Sequence, residues 1–148
     1  MLSKNNEKFS LGNFRFSFNA ISKMKRLKVG IVYLYGSRVE GISRSNSDFD
    51  LGVVFQDPAV LENSLQLHSE LYDLFSEEFP VTFQREVDIV FLQRASIQLR
   101  FEVVNKGKVL FEISPYFRVK FEEKVIRKYL DFTPFLKEYE KVTMEMFK

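Results

Sequence analysis

The sequence has no cysteine, and His68 is its single histidine among 148 residues. Without cysteine the chain can form no disulfide, carries no thiol nucleophile and offers no cysteine ligands for zinc. His68 lies in a polar, helix-like run with no nucleophile elbow nearby, so we expect a solvated or half-buried structural side chain rather than a member of a catalytic triad. The sequence therefore excludes thiol chemistry and argues strongly against a zinc site.

Long hydrophobic runs are also missing. No apolar stretch approaches the roughly 20 residues that a membrane span needs, and the polar residues 4–8 lack the hydrophobic region of a signal peptide. RNP, KH and helix-turn-helix patterns are absent, so direct nucleic-acid binding is not expected. We therefore expect a soluble, unprocessed cytoplasmic protein with no membrane partner.

Acidic residues are scarce at the N-terminus. Residues 1–28 contain seven basic side chains and one acid, a local net charge of +6, which leaves −4 for the remaining 120 residues of a chain whose net charge is +2. Such a basic segment is typical of a solvated helix face, and it can also attract nucleic acid, a nucleoside triphosphate or an acidic partner protein.

What is present is ordinary for a globular protein: 45% hydrophobic and 16% aromatic residues. A chain of this length buries roughly 68% of its unfolded surface, enough for a core without cross-links. No linker or repeat interrupts it, so we expect a single domain over residues 1–148.

Strand-like and helix-like segments alternate along the chain. The β-branched and aromatic runs 28–35, 49–55, 87–92 and 108–113 predict four strands. Helical patterns are expected shortly after Gly36, from Pro58 to Pro80, and from Ser96 to a C-cap at Gly107. These elements predict an α/β (α+β) domain with a small mixed sheet flanked by helices.

Helical patterns also occur at both ends. Apolar residues spaced by three and four predict an N-terminal helix over about 14–27, although the phenylalanines there also alternate as in a strand. A C-terminal helical tail is expected over about 115–147, with a break or kink at Pro134. One face of this tail carries an aromatic and aliphatic stripe, expected either to pack on the core, which we favour, or to dock on a partner helix. The stripe consists of Phe135, Leu136, Tyr139, Val142 and Met146.

The first candidate site is the turn Gly36-Ser37 after the first strand. A helix is expected to follow, and backbone N–H groups at a helix N-terminus favour an anion. Glycine allows phosphate to approach the backbone, and the Ser37 hydroxyl adds a donor. On its own, a Gly-Ser turn is weak evidence for nucleotide binding.

The second candidate is a set of three aspartates. Asp48 and Asp50, two residues apart at the head of a strand, project from one face and can hold a hard cation between them. Asp88 has a similar place in the third strand and joins them if the two strands are neighbours. Carboxylates so arranged repel each other unless a cation lies among them, and Mg²⁺ is the expected ion.

Gly36-Ser37, ten intervening residues, Asp48-Phe49-Asp50 and a later Asp88 together resemble the DNA polymerase beta-like nucleotidyltransferase superfamily. More narrowly, the short chain looks like the minimal nucleotidyltransferase (MNT) antitoxins. The resemblance implies a polymerase beta-like fold and two Mg²⁺ ions on the catalytic residues Asp48, Asp50 and Asp88. It also implies ATP as the substrate, bound by Gly36, Ser37, Ser47 and Asp48.

The resemblance further implies a partner, a HEPN-domain toxin that is usually an RNase. The antitoxin would transfer AMP from ATP to a tyrosine of this toxin and so inactivate it. Two alternatives stay open: an adenylyltransferase acting on an antibiotic or another small alcohol, and an antitoxin that neutralises by binding alone.

Overall fold

Four strands and four α-helices form the part of the chain that the structure, a computed structural model, describes: residues 14–36, 48–81 and 86–146. The strands are β1 (Val29–Tyr35), β2 (Phe49–Phe55), β3 (Val87–Phe91) and β4 (Lys108–Glu112). The helices are α1 (Phe18–Arg26), α2 (Ser64–Glu78), α3 (Ile97–Lys106) and α4 (Pro115–Met146). The helix expected after Gly36 lies outside the described residues.

The strands form one open sheet in the order β3-β2-β1-β4. β1 pairs antiparallel with β2 and with β4, while β2 and β3 are parallel. The parallel pair is possible because α2 crosses between its two strands. A mixed sheet flanked by helices confirms the predicted fold class.

Both faces of the sheet are buried. The larger core lies between the sheet and the helices α1 and α2, and its fully buried side chains include Phe49, Phe55 and Phe75. A smaller core on the opposite face, towards α3 and α4, centres on Ile31, Tyr33, Val54, Leu92 and Val103. Burial on both faces explains why β1 and β2 are almost continuously apolar.

The N-terminal helix is shorter than the predicted 14–27. Ser17 caps it, because its hydroxyl accepts a hydrogen bond from the Ala20 N–H at 3.1 Å. Residues 14–17 before it belong to neither a helix nor a strand, and Phe16 packs against Phe75 and Phe79. Phe14 and Phe16 therefore lie outside the helix, whereas Phe18, on the helix, is 83% exposed.

The predicted helix between Pro58 and Pro80 is divided. Pro58–Asn63 is a 3₁₀ helix, capped by the Asp57 carboxylate, which accepts from the Ala59 N–H at 3.0 Å. Only then does α2 begin, and it buries Leu71 and Phe75 against the sheet.

Ser96 and Gly107 cap α3 as predicted. The Ser96 hydroxyl accepts from the Leu99 N–H at 3.1 Å. Gly107 does not adopt the left-handed conformation usual for such glycines, since its φ is −72°. It is needed for a different reason: a side chain there would collide with the Val103 carbonyl oxygen.

Of the break or kink expected at Pro134, the break does not occur: α4 continues through the proline to Met146. Just before the proline, the Thr133 hydroxyl donates to the Tyr129 carbonyl at 2.8 Å. The favoured placement of the C-terminal stripe was wrong: Phe135 is 68% and Tyr139 72% exposed, so these side chains do not belong to the core of the described chain.

Within the three described ranges, no helix has both the length and the apolar character to cross a membrane.

Candidate active site

Three polar side chains lie in one row across neighbouring strands. Tyr35 at the end of β1 is the register partner of Asp50 on β2, and Asp50 is the register partner of Asp88 on β3. Phe49 and Leu51, on either side of Asp50, are fully buried in the larger core. Because side chains alternate along a strand, Asp50 projects from the opposite face, the one that carries α3 and α4.

Gly36 lies directly beside Asp50. Its φ of +81° is a conformation that side chains other than glycine rarely adopt. A Cβ at this position would also collide with Oδ2 of Asp50. The glycine therefore both makes the turn after β1 and leaves room for the carboxylate.

Asp48 fixes the start of the parallel pair. Its Oδ1 accepts a hydrogen bond from the Glu86 N–H at 3.0 Å, while the Phe49 N–H donates to the Glu86 carbonyl at 2.9 Å. Asp48 and Asp88 are exposed, and Asp50 is half-buried. Asp50 is thus the least accessible of the three carboxylates.

The electrostatics agree with this clustering. Burial, followed by the negative charges of Asp88 and then Asp48, raises the pKa of Asp50 to about 6. Each cause disfavours the ionised form of Asp50, whereas a cation bound beside it would favour that form.

Tyr35 is a site residue that sequence reasoning missed. Burial, and then the charges of Asp50, Asp88 and Glu102, raises the pKa of its hydroxyl to about 12, so the hydroxyl stays protonated and uncharged beside the carboxylates. A signal was available, because Tyr35 ends the strand directly before Gly36.

The donor chemistry fits Mg²⁺, since carboxylate oxygens are the ligands that this hard cation prefers. Asp50 and Asp88 are adjacent in register, and Asp48 is close enough to affect the pKa of Asp50. Across residues 14–36, 48–81 and 86–146, however, no three acidic or imidazole groups already stand in metal-binding geometry. The site has suitable ligands, but its described side chains are not arranged around an ion.

Of the remaining candidates, His68 lies in the described part of the chain and takes no part in this row. Ser37 and Ser47 lie outside the described residues. His68 is exposed on α2, with its ring centroid 6.1 Å from that of Phe91, in agreement with the predicted solvated structural role.

Solved structures similar to this chain include toxin–antitoxin complexes. A toxin–antitoxin crystallised with AMP-PNP is 26% identical with a TM-score of 0.59, over 85% of this chain and 97% of that chain. A mutant of the toxin–antitoxin MntA–HpeT is 27% identical with a TM-score of 0.63, over 88% and 99%.

A tri-AMPylated Shewanella oneidensis HEPN toxin in complex with MNT antitoxin is 22% identical to this chain with a TM-score of 0.53, over 85% of this chain and 97% of that chain. At this identity the similarity shows a shared fold. The two toxin–antitoxin structures at 26% and 27% identity agree with the resemblance to MNT antitoxins. No curated protein matches the chain.

The family model for polymerase beta nucleotidyltransferases matches residues 19–116. This range is more than half of the chain and contains Gly36 and all three aspartates. The chain therefore belongs to the polymerase beta nucleotidyltransferase family.

Proposed function

We propose that this protein is an antitoxin nucleotidyltransferase that transfers AMP from ATP to a tyrosine of a cognate HEPN-domain toxin and so inactivates it. The observation that carries the proposal is the pairing of Asp50 with Asp88 across β2 and β3, beside the glycine turn at Gly36. This arrangement lies within the range that matches the nucleotidyltransferase family.

The carboxylates would hold the cation that the reaction needs. Asp48, Asp50 and Asp88 are the ligands, and Mg²⁺ bound there would neutralise phosphate charge in the in-line transition state. Asp50, the most buried of the three, would anchor the ion. The turn at Gly36 and Ser37 would bind the triphosphate through backbone N–H groups and the serine hydroxyl.

The transfer itself is a single displacement. The tyrosine hydroxyl oxygen of the toxin attacks the α-phosphorus of ATP, a new P–O bond forms, and the bond to the bridging oxygen of the β-phosphate breaks. Pyrophosphate leaves with the electron pair of that bond. In this proposal Asp88, which is exposed on β3, accepts the hydroxyl proton.

The choice of a toxin as acceptor is supported by the similar structures. Two of them, at 26% and 27% identity, are toxin–antitoxin complexes, and one of these contains AMP-PNP. The toxin in the Shewanella oneidensis complex is tri-AMPylated, which indicates the modification that we propose for the partner of this chain. A partner also supplies what a small domain lacks, an acceptor hydroxyl held in line with the α-phosphate.

The test is to incubate the protein with ATP, Mg²⁺ and the HEPN-domain protein encoded beside it, and to measure the intact mass of both chains. The proposal predicts one or more added AMP units on a toxin tyrosine and loss of toxin RNase activity. The matched control is the Asp48→Asn, Asp50→Asn double variant, which keeps the side-chain volumes and should leave the toxin unmodified.

Other results would favour the alternatives. Silencing of the toxin by this double variant as efficiently as by the wild type, with no mass change, would indicate an antitoxin that acts by binding alone. Efficient adenylylation of an aminoglycoside or another small alcohol without the toxin would indicate a small-molecule adenylyltransferase.

A further inference from the structure

The C-terminal half of α4 carries apolar side chains at alternating steps of three and four residues. We call them the seam: Phe132, Phe135, Tyr139, Val142 and Met146. An average spacing of 3.5 residues is the repeat by which one helix packs along another in a coiled coil. The seam is exposed in the described chain, from 37% at Phe132 to 75% at Met146.

The seam begins where α4 leaves its own domain. Val125, one heptad before Phe132, is 2% exposed, and Tyr129 stacks on Phe101 of α3 with ring centroids 3.8 Å apart. Beyond this stack, the 15 residues from Phe132 to Met146 extend for about 22 Å at 1.5 Å per residue. The seam therefore extends the packed face of α4, which carries Val125, by two heptads. In the described chain nothing packs on this extension.

The two borders of the seam differ in charge. One border carries Asp131, Glu138 and Glu145, seven residues apart and all exposed. We call it the acidic border. These residues occupy a heptad position that flanks the apolar core, where charges select the partner helix. The opposite border has no charge: Tyr129, Leu136 and Thr143.

This charge pattern argues against a second copy of the chain. In an antiparallel pair of identical helices the two acidic borders face each other, and like charges there are destabilising. In a parallel pair each acidic border faces the uncharged border of its partner and gains no ion pair. The nearby lysines Lys137 and Lys141 lie at heptad positions on the far side of the helix and cannot compensate.

We propose that the seam binds a helix of a different protein that has an apolar heptad stripe bordered by lysine or arginine. Apolar contacts along the seam hold the complex, while the acidic border selects the partner and its register. The inference concerns only α4, and it stands whether or not the chain transfers nucleotides.

The probes are two synthetic 28-residue helical peptides with leucine at the core heptad positions, one with lysine and one with glutamate at both border positions. Binding of each peptide to the full-length protein is measured by fluorescence anisotropy at two salt concentrations. The lysine peptide should bind about 10-fold tighter than the glutamate peptide or better, and this preference should shrink in high salt.

Two variants test the contacts, and a third is the control. Phe135→Gln with Tyr139→Gln places good helix formers at exposed positions, so α4 should persist by circular dichroism while binding of the lysine peptide is lost. Asp131→Lys with Glu138→Lys and Glu145→Lys should invert the peptide preference. Lys137→Gln with Lys141→Gln, on the far side of the helix, should leave it unchanged.

The proposal is overturned if neither peptide binds, or if both bind equally at low salt. It is also overturned if the protein alone forms a dimer in sedimentation velocity that the Phe135→Gln, Tyr139→Gln variant abolishes, because the seam is then occupied by a second copy.

Discussion

Asp50 on β2 lies opposite Asp88 in the register of the parallel strand β3, and its carboxylate fills the space left open by Gly36. Burial, and then repulsion by Asp88 at the same register position and by Asp48, raises the pKa of Asp50 to about 6. Such a pair destabilises the free protein. The proposed cation would offset this repulsion, which the fold alone does not.

Replacing Asp48 and Asp50 by asparagine should abolish nucleotide transfer and leave the melting temperature of the metal-free protein unchanged or raised. The substitution removes the ligands but keeps the side-chain shapes, and it relieves the repulsion with Asp88. Activity is followed by pyrophosphate release, Mg²⁺ binding by calorimetry and unfolding by circular dichroism.

Asp73→Asn is the control for these measurements, because Asp73 is exposed on α2, away from the row of site residues. It should alter neither activity nor Mg²⁺ binding. A double variant that unfolds, or that still transfers AMP, contradicts a metal-binding role for the two aspartates.

Replacing Gly36 by alanine should reduce activity at least about tenfold. The added Cβ collides with Oδ2 of Asp50 and is strained at a φ of +81°, a conformation that costs about 1 to 2 kcal/mol outside glycine. The ATP KM and the free energy of unfolding are measured together. Full activity with unchanged stability would mean that the carboxylate has another position equally suited to the reaction.

Replacing Ser37 by alanine tests the triphosphate side of the proposal. Loss of one hydrogen bond to a charged phosphate, worth about 1.5 to 3 kcal/mol, should lower kcat/KM for ATP by one to two orders of magnitude without loss of fold. If the ATP kinetics do not change, Ser37 is only a turn residue.

Much of the fold could be predicted from the sequence because the strands are short, apolar and bounded by clear turn residues. β2 was predicted with its observed bounds, 49–55. The errors arose where apolar residues have helical spacing but do not lie on one buried helix face. Phe14 and Phe18 are four residues apart, yet the first precedes the cap at Ser17 and the second is exposed.

The adjacency of Asp50 and Asp88 followed from their place at the heads of two strands, but only the strand order made it definite. Tyr35 could not be recognised from spacing, because its contribution depends on the register that pairs β1 with β2. The exposure of the stripe on α4 was equally hidden, since an amphipathic helix has the same pattern whether its apolar face meets its own core or another protein.

Tyr33 joins the sheet to α4, and its replacement by phenylalanine should change the pH dependence of stability. Its hydroxyl donates to Oε1 of Glu122 at 3.2 Å, and the same oxygen accepts from Nη1 of Arg118 at 2.9 Å. Burial, and then the charge and hydrogen bond of Glu122, raises the pKa of Tyr33 well above its ordinary value.

The folded protein therefore holds this proton at a pH where the unfolded chain releases it. The contribution of the Tyr33 hydroxyl to the free energy of unfolding should be fully present below about pH 10. Above that pH it should fall by up to about 1.4 kcal/mol per pH unit. Tyr33→Phe should lose about 1 kcal/mol at pH 7 but show a shallower decline in alkaline urea titrations. Tyr139→Phe, at an exposed tyrosine, is the control, and equal slopes in wild type and Tyr33→Phe would refute the assignment.

Replacing Phe135 and Tyr139 by alanine should weaken association with the toxin and slow its modification. Both side chains are mostly exposed, so the free energy of unfolding should change little. Bare pyrophosphate release should be spared, because the proposed nucleotide site is on the sheet. Surface plasmon resonance with the toxin and mass spectrometry of its modification measure the two effects.

Phe18→Ala is the matched control, since Phe18 is an equally exposed aromatic on α1, on the opposite side of the sheet from α4. If it weakens association as much as the paired change on α4, binding depends on general apolar exposure rather than on the stripe. If the paired change unfolds the protein, the stripe stabilises the fold after all, and the docking surface lies elsewhere. Slower modification with unchanged association would instead place the effect in the orientation of the acceptor hydroxyl, because an acceptor held out of line with the α-phosphate binds without reacting.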